Sequence, residues 1–516
     1  MKRPGTGQQP SLDTPDGAPT PRLRSSLLTN VFRVTRALDW ARIASSPLAL
    51  PLILIATFAL FVPSLHTYFQ ADDFFHLEAS QDTSVGTFIV QAFDYRDTRP
   101  DPHFGFYRPL FIITYRLCFS VFGFNPTGYH VVSVLLHLGS IALVWLIVRR
   151  LLGSVAGANF SALVFAIHPA TTEAVQWISR SLNIDTTTFF YLLAMLTFMN
   201  YMESGRYRAL YYAGAVLTFT TAMLFHTTAL TLAAVLPAYV FLVAGKPSDA
   251  VQWRSWVRFV PFFVLTAIMA YIQHDVGLGD MFEFGTFQYT SFGRYLGMAL
   301  FPVLPEDWGR VPASSLNRLL DLYFLASLVM IGAALFLFDR RRPPYVGVFA
   351  LVWLLAMLAP NTTSVLVDPT TGIIPAQLYL PGASLGLFFV LAGREAHGML
   401  PPALARRAAR CLLPLLLVVF VYYAALTVVH ERRDTRSANE SRAFVSQLQE
   451  ALPPPAPGAT LYVVGAPLNL VALTDVSLIA AVQIYYGDVH VVQVTAEEAA
   501  DIKAADPSQL VFVYQR

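Results

Sequence analysis

Long apolar runs alternate with short polar stretches along most of this 516-residue chain. The first run, LALPLILIATFALFVPSL, begins at Leu48. The runs extend over about 16 to 22 residues, the length of α-helix that crosses a bilayer core. The pattern predicts about eleven transmembrane spans, comprising the first run and segments near 128–148, 157–172, 183–202, 209–225, 227–245, 259–274, 319–338, 345–360, 376–393 and 411–429.

Two other apolar stretches, about 109–123 and 288–304, are predicted to lie along the outer membrane surface. Counting either as a crossing would place the arginine clusters of later loops outside, against the positive-inside rule. The same rule places the N-terminus in the cytoplasm, because arginines precede the first run. An odd number of spans then places the C-terminus outside.

The chain divides into three predicted parts. Residues 1–46 form a cytoplasmic tail. Its first part is predicted to be disordered because it is rich in Pro, Gly, Ser and Thr, and its second part is predicted to form a basic helix on the membrane surface. Residues 47–430 form the transmembrane domain, whose first outer loop covers about 67–127. Residues 431–516 form a small extracytoplasmic α/β domain.

The C-terminal prediction depends on local patterns. Ser437 and Glu440 have the spacing of a capping box, which predicts that an amphipathic helix begins there. Three short apolar runs, TLYVVGAP, VHVVQV and QLVFVYQR, are typical of strands.

Composition supports the membrane assignment. The chain is 55% hydrophobic and 13% charged, with a mean hydropathy of +0.52, whereas soluble domains carry about 25% charged residues. A soluble enzyme, a disordered chain and a coiled coil are therefore excluded. The net charge of +2 gives no indication of nucleic acid, and no such partner is expected. Arginine supplies nearly all the positive charge, which is typical of a GC-rich bacterial genome and predicts a bacterial inner membrane protein.

Ionisable residues collect at the predicted outward ends of the spans. The sharpest feature is ADDFFHL at 71–77, directly after the first span, which contains Asp72, Asp73 and His76. Adjacent carboxylates repel each other, and partial burial raises their proton affinity, so either can serve as general base towards a hydroxyl. A solvated loop pair or a helix cap is the structural alternative.

Two more outward segments carry candidate chemistry. Tyr107 and Arg108 precede the surface stretch, and an arginine offers a planar fork of donors that matches phosphate. Its alternative role is interfacial snorkelling. HPATTEAVQWISR contains His168, Glu173 and Arg180. His168 and Glu173 are candidates for holding the loop or a divalent metal, although no ligand set is complete; whether a metal is required stays open.

These motifs resemble the GT-C superfamily of multi-span glycosyltransferases that use polyprenyl-phosphate sugars. The resemblance is to the transmembrane part of O-mannosyltransferases that carry tetratricopeptide repeats, and to their bacterial relatives. The matching stretches are ADDFFHL, YRPL, FGFNPTGYHVVSVLLH, LVFAIHPATTEAVQWISR and LYLPGASLGL. By position, Asp72 and Asp73 resemble the family's first-loop acidic pair, Arg108 its Tyr-Arg-Pro arginine, and His168 with Glu173 its His-Pro-x-x-Thr-Glu element.

The chain also departs from this family. Relatives commonly carry Ser-Lys-Glu where this sequence has Phe225-His226-Thr227, and Glu-Arg where it has Ala376-Gln377. The second change removes an arginine that would contact a lipid phosphate. The repeats are absent, and the α/β domain takes their place.

The resemblance implies sugar transfer from a polyprenyl-phosphate donor to a hydroxyl acceptor on the outer face, with inversion. Asp73 or Asp72 would accept the proton, Arg108 or Arg180 would stabilise the leaving phosphate, and His76, Tyr107, His168 and Glu173 would support them. The acceptor, a protein, lipid or glycan, is not indicated, and membrane lipids surround the spans. A flippase or transporter for a lipid-linked sugar and a non-catalytic scaffold are the alternatives.

Overall fold

The computed structural model describes residues 44–81, 84–96, 106–245, 247–278, 289–300, 302, 313–338, 345–362, 375–471 and 476–515. The predicted N-terminal tail and interfacial helix therefore lie almost wholly outside the described residues. The rest is predominantly helical, with one small sheet near the C-terminus.

Within the described residues, seven helices are long and apolar enough to cross a membrane. In chain order they are α1 (Ala49–His66), α5 (Pro126–Leu152), α8 (Ile178–Glu203), α10 (Thr227–Ala244), α11 (Trp253–Val276), α15 (Pro375–Met399) and the Pro414–Ala451 part of α16 (Pro402–Ala451). They confirm the prediction of a helical polytopic membrane protein.

Other helices lie between these. They are α2 (Asp73–Ala79), α3 (Val85–Phe93), α4 (Pro109–Phe122), α6 (Val155–Ile167), α7 (Thr171–Gln176), α9 (Arg208–Phe225), α12 (Tyr289–Leu300), α13 (Ala313–Leu337) and α14 (Val346–Leu358). Helices α6, α9, α13 and α14 coincide with the four remaining predicted spans, so the total of about eleven crossings stays a prediction. Helices α4 and α12 coincide with the two stretches predicted to lie on the surface.

Local sequence explains where α5 begins and ends. The Asn125 side chain accepts a hydrogen bond from the Thr127 N–H (3.1 Å), and Pro126 occupies the first helical position. Gly153 ends the helix in the left-handed conformation, at φ +63°. Between these ends, the buried side of α5 packs against α6 and α8 in the main apolar core.

Close packing between α6 and α15 depends on small residues. A side chain at Gly386 would collide with the backbone of Ser161, and Gly382 lies one turn earlier against Phe165. Two glycines four residues apart allow helices to approach closely, which is a common solution where lipid provides no hydrophobic driving force.

The C-terminal region is a small α/β unit, as predicted. Strands β1 (Thr460–Val464), β2 (His490–Val494) and β3 (Leu510–Val513) form a parallel sheet in the order β2-β1-β3. Helices α17 (Leu468–Val471), α18 (Val476–Tyr486) and α19 (Ala496–Ala505) connect them.

The prediction that a separate helix begins at Ser437 is wrong. Helix α16 continues without a break from Pro402 to Ala451, a length of about 75 Å at 1.5 Å per residue. The predicted domain boundary at residue 430 falls inside this helix. The transmembrane and C-terminal parts are therefore joined by continuous helix rather than by a linker.

A second apolar core joins the first loop (residues 67–127) to the C-terminal domain. Its buried members come from α2 and α4 on one side and from α16, α18 and the sheet on the other, and include Phe74, Leu77, Phe444, Leu478 and Phe512. Helix α18 packs directly against α2. The segment that carries the acidic pair is thus covered by the C-terminal domain.

Candidate active site

The acidic pair lies at the beginning of α2. Asp72 is the residue before the helix, and Asp73 is its first residue. The preceding Ala71 has φ +46°, in the left-handed region, which costs a non-glycine residue roughly 1–2 kcal/mol. Such strain persists where surrounding contacts fix the backbone and is common at functional sites.

The two carboxylates differ in burial and in their contacts. The Asp73 side chain is fully buried, and its oxygens accept backbone N–H donors from Gln70 (3.0 Å) and Ser179 (2.8 Å). Asp72 is partly exposed and accepts a hydrogen bond from the Ser179 hydroxyl (2.6 Å). Ser179, at the start of α8, thus contacts both carboxylates.

Burial first, and then the neighbouring charge of Asp72, raise the pKa of Asp73 well above its usual value. The Tyr115 hydroxyl, in α4, donates to the Asp73 carbonyl oxygen (3.3 Å). Burial, followed by the Asp73 charge, raises the pKa of Tyr115 well above its usual value, so this hydroxyl remains a donor. Asp73 is therefore held as a fixed internal group, whereas Asp72 is accessible.

Two arginines, Arg108 and Arg180, lie close enough to His76 of α2 for their charges to act on it, as the charge of Asp72 does. Asn183 lies in a π-helical stretch of α8, Ser181–Asp185, of a kind that often occurs at functional sites. With its amide oriented by its neighbours, the Asn183 oxygen accepts from Arg108 Nη1 (2.9 Å), and its nitrogen donates to the Phe225 carbonyl oxygen (2.9 Å). The Arg180 guanidinium lies 4.9 Å from the centre of the Trp177 ring.

The Arg180 Nε atom is buried and has no hydrogen-bond partner among the described residues. A buried donor without an acceptor costs about 1–3 kcal/mol. Such a group in a native fold calls for a specific explanation. Arg180 is thus suited to receive an anionic oxygen.

A small cleft opens beside α8, α10 and α15. Ile184, Met357, Leu380 and Pro381 provide an apolar lining, and His226, Thr228 and Gln377 provide the polar groups. Burial, then the charges of Arg108 and Arg180, lower the pKa of His226 well below its usual value. This electrostatic effect places the cleft within reach of both arginines. Its polar lining includes His226 and Gln377, one residue from each of the two stretches at which the sequence departs from the O-mannosyltransferases that it resembles.

His76 lies on α2 in an aromatic environment. Its ring packs edge-on against Phe111, with 4.7 Å between the ring centres, and the side chain is buried. Burial lowers the pKa of His76 to about 4, against an opposing effect of Asp72 and with smaller lowering effects from Arg108 and Arg180. His76 is therefore a neutral packing partner of the acidic pair near pH 7.

This depressed pKa gives a pH prediction for stability. Because the unfolded chain binds the His76 proton with an ordinary pKa near 6.5 and the folded chain only near 4, stability is lost as pH falls from about 6.5 to 4. We expect His76→Phe to flatten the fall of the melting temperature over that range, by an amount equivalent to about 3 kcal/mol at most. Fluorimetric melting of the detergent-solubilised protein from pH 7.5 to 4 measures this. Identical slopes for the variant and the parent would contradict a neutral His76.

The other predicted supporting residues are Tyr107, Glu173 and His168, and each bonds to a neighbouring segment of the membrane domain. The backbone of Tyr107 exchanges two hydrogen bonds with the Gln273 side chain of α11 (3.2 and 2.7 Å). Glu173, in α7, accepts the Ala376 N–H (3.0 Å), and burial is the main cause of its raised pKa. Glu173 therefore joins α7 to the start of α15, close enough for the Arg180 charge to act on it.

His168 has both ring nitrogens engaged by backbone. Nε2 contacts the Ala299 carbonyl oxygen (2.9 Å), and Nδ1 accepts the Ala170 N–H (3.3 Å). In this arrangement the imidazole holds the α6–α7 turn against α12. Among the described residues there is no cluster of three or more His, Cys, Asp or Glu side chains that could hold a metal ion.

Ser179, Asn183 and Thr228 are not among the site residues predicted from the sequence. Ser179 acts on Asp73 through its backbone N–H, a group that every non-proline residue has, so no sequence signal distinguishes it. The sequence gives only a weak indication of Asn183, which is a polar amide three residues after Arg180 within a predicted span.

Sequence comparisons show which proteins this chain is similar to. Residues 107–273 match the family model described as dolichyl-phosphate-mannose-protein mannosyltransferase. The protein O-mannosyl-transferase Tmtc1 of Drosophila melanogaster is 37% identical over 106 residues, which are 20% of this chain and 12% of that protein. Tmtc2 of the same organism is 34% identical over 183 residues, 34% of this chain and 19% of that protein. These matches confirm the resemblance to the GT-C superfamily of membrane proteins.

The chain spans less than a fifth of the length of these two relatives. A crystal structure of ArnT from Cupriavidus metallidurans, bound to undecaprenyl phosphate, aligns with 91% of this chain and 90% of its own. Its TM-score is 0.45 and its sequence identity 15%.

Proposed function

We propose that this protein is a glycosyltransferase that moves a sugar from a polyprenyl-phosphate donor to a hydroxyl acceptor at the extracytoplasmic face of a bacterial inner membrane. The observation that carries the proposal is that the same two arginines act on both parts of the site: the charges of Arg108 and Arg180 act, together with that of partly exposed Asp72, on His76, and they act on His226 in the lining of the cleft. The family model that matches residues 107–273 is named for transfer from dolichyl-phosphate mannose.

Asp72 is the proposed general base, because it is the accessible member of the pair. Asp72 removes the proton from the acceptor hydroxyl while the hydroxyl oxygen attacks the anomeric carbon from the face opposite the phosphate. The bond between that carbon and the phosphate oxygen breaks, so the configuration inverts. The products are the glycosylated acceptor, polyprenyl phosphate and a protonated Asp72.

The arginines act on the leaving group. The polyprenyl phosphate gains one negative charge as the bond breaks, and Arg180 and Arg108 stabilise that charge in the transition state. A phosphate leaving group requires no protonation by a general acid. Asp73 accepts backbone N–H groups from Gln70 and Ser179, and these bonds hold the start of α2 and Ser179 in position beside Asp72.

The cleft is the proposed site for the sugar-phosphate end of the donor, since apolar walls with a few polar groups are typical of ligand sites. The direct experiment uses the purified full chain and radiolabelled mannose carried on undecaprenyl or dolichyl phosphate, with release of polyprenyl phosphate as readout. Transfer that is abolished in Asp72→Asn supports the proposal. Lipid binding without turnover under all conditions would favour a non-catalytic scaffold instead.

Filling the cleft tests this placement separately. Thr228→Trp inserts an indole among Ile184, Met357 and Leu380, and we expect the KM for the lipid-linked sugar to rise about tenfold or more, which is the loss of about 1.4 kcal/mol of binding. Thr228→Val, which keeps the size of the side chain, is the matched control and should change KM much less. An unchanged KM in Thr228→Trp would place the donor elsewhere.

A further inference from the structure

Helix α16 contacts both segments that build the acidic site. From α7, the Gln176 side-chain amide donates to the Glu431 carbonyl oxygen (3.0 Å) and to the Thr435 hydroxyl (3.3 Å). The same Thr435 hydroxyl lies 3.1 Å from the Thr67 hydroxyl, at the start of the first loop. One side chain therefore joins the segment before Asp72 to the segment before Ser179.

The next turns of α16 strengthen this attachment. The Arg442 guanidinium lies 4.9 Å from the centre of the Tyr68 ring and donates to the His66 carbonyl oxygen (3.4 Å). Asn469, in α17, donates to the Ser437 carbonyl oxygen (3.1 Å) and to the Ser441 hydroxyl (2.5 Å). The C-terminal domain is thus fastened to the helix that holds the first loop.

The C-terminal domain also reaches the first loop directly. Helix α18 packs on α2, and the Tyr485 hydroxyl lies 3.3 Å from the Tyr68 hydroxyl. The shared core around Phe74 and Leu77 excludes water from the buried side of α2. The position of α2 is therefore set from one side by the membrane domain and from the other by the C-terminal domain.

This arrangement matters because the donors to the acidic pair come from two segments. Gln70 belongs to the first loop and Ser179 to α8, and only their correct spacing lets both donate to Asp73 while the Ser179 hydroxyl donates to Asp72. A small displacement of one segment would lengthen these bonds and change the direction of the Asp72 carboxylate. Catalytic rates are sensitive to such displacements, with losses of about 10²-fold for 1 Å.

We propose that Thr435 is a positioning residue for the acidic pair, and that the C-terminal domain, through α16 and α18, is a structural part of the active site. The inference rests on the proposed function where it concerns turnover. The structural part, that Thr435 keeps the first loop and α7 in register, stands independently and is measured without any substrate.

The test compares Thr435→Val, which removes the hydroxyl and keeps the shape, with Thr435→Ser, which restores the hydroxyl. Thr427→Val is the matched control, since Thr427 on the same helix donates to the Ile167 carbonyl oxygen (3.1 Å) away from the acidic pair. Hydrogen exchange followed by mass spectrometry on the full chain in detergent reports the amides of residues 70–73 and 177–181. Turnover with radiolabelled mannose on undecaprenyl phosphate is measured in parallel.

We expect Thr435→Val to accelerate exchange in both segments and to lower kcat about tenfold with little change in KM. Thr435→Ser should restore both, and Thr427→Val should leave both near the parent values. Unchanged exchange in Thr435→Val overturns the inference whatever the activity. If the parent protein itself shows no transferase activity but Thr435→Val still accelerates exchange, the positioning role stands and the proposed function is rejected.

Discussion

Replacing Asp72 with asparagine should lower turnover by about 10²- to 10⁴-fold, the range that a general base contributes, while leaving KM and thermal stability nearly unchanged. The asparagine oxygen can still accept the Ser179 hydroxyl hydrogen bond, so the site keeps its shape and loses only its base. Single-turnover transfer of radiolabelled mannose from undecaprenyl phosphate separates this chemical step from product release.

Asp73→Asn should behave differently. Both carboxylate oxygens of Asp73 accept backbone N–H groups, so an amide NH₂ in either place faces a donor. We expect a loss of stability of about 1–3 kcal/mol, seen as a lower melting temperature, with lower activity as its consequence. Asp94→Asn, at an exposed position of the same loop, is the control for both. If Asp72→Asn turns over at the parent rate, Asp72 is not the base. If Asp73→Asn folds stably and loses turnover by about 10²- to 10⁴-fold, Asp73 is the base instead.

The distinction between these two carboxylates could not be made from the sequence. ADDFFHL specifies two adjacent acids after a span, and the helix that begins there turns one inward and leaves the other partly exposed. Burial of Asp73 depends on Tyr115 and Ser179, which are separated from it by 42 and 106 residues. Spacing within a motif carries no information about contacts over such distances.

Apolar periodicity predicted the helices well because a bilayer allows few alternatives to them. It failed at α16, where the polar sequence after residue 430 suggested a boundary. A Ser-x-x-Glu pattern fits the exposed side of a continuing helix as well as it fits a helix start. The hydrogen bonds from Gln176 and Asn469 lie across this stretch, so tertiary contacts with loops support the helix beyond its apolar part.

The hydropathy averaged along the chain also gives no sign of a polar network buried among the spans. His137, in the middle of α5, contacts the Tyr379 hydroxyl (2.7 Å), which donates to Asp185 (2.7 Å). The sequence pattern, in which ionisable residues collect at the outward ends of the spans, did not draw attention to this histidine in the middle of a span. Its apolar neighbours in the sequence hide it from a window average, although such groups in spans usually face the protein interior and pair with one another.

The second large effect is expected at Arg180, where Arg180→Gln should lower kcat/KM by about 10²- to 10³-fold, the range for loss of one preorganised donor to a developing charge. The variant should fold about as stably as the parent, because losing the Arg180 contacts with Glu173 and Trp177 is offset by removing a buried Nε donor that lacks an acceptor among the described residues. Sites preorganised for function commonly have this trade-off between stability and activity. Arg180→Lys should recover only part of the loss, since an ammonium cannot present the planar fork of a guanidinium to a phosphate.

A binding readout makes the role of Arg180 specific. Undecaprenyl phosphate should raise the melting temperature of the parent protein and raise it much less for Arg180→Gln, because a ligand stabilises only the state that binds it. Arg116→Gln is the matched control: Arg116 also lies beside an aromatic ring, 6.0 Å from the centre of Phe119, and bonds to Ser120 on α4. Equal stabilisation of both variants by the lipid would show that Arg180 does not bind the donor phosphate. A lower melting temperature of Arg180→Gln without lipid would show instead that the arginine serves the fold.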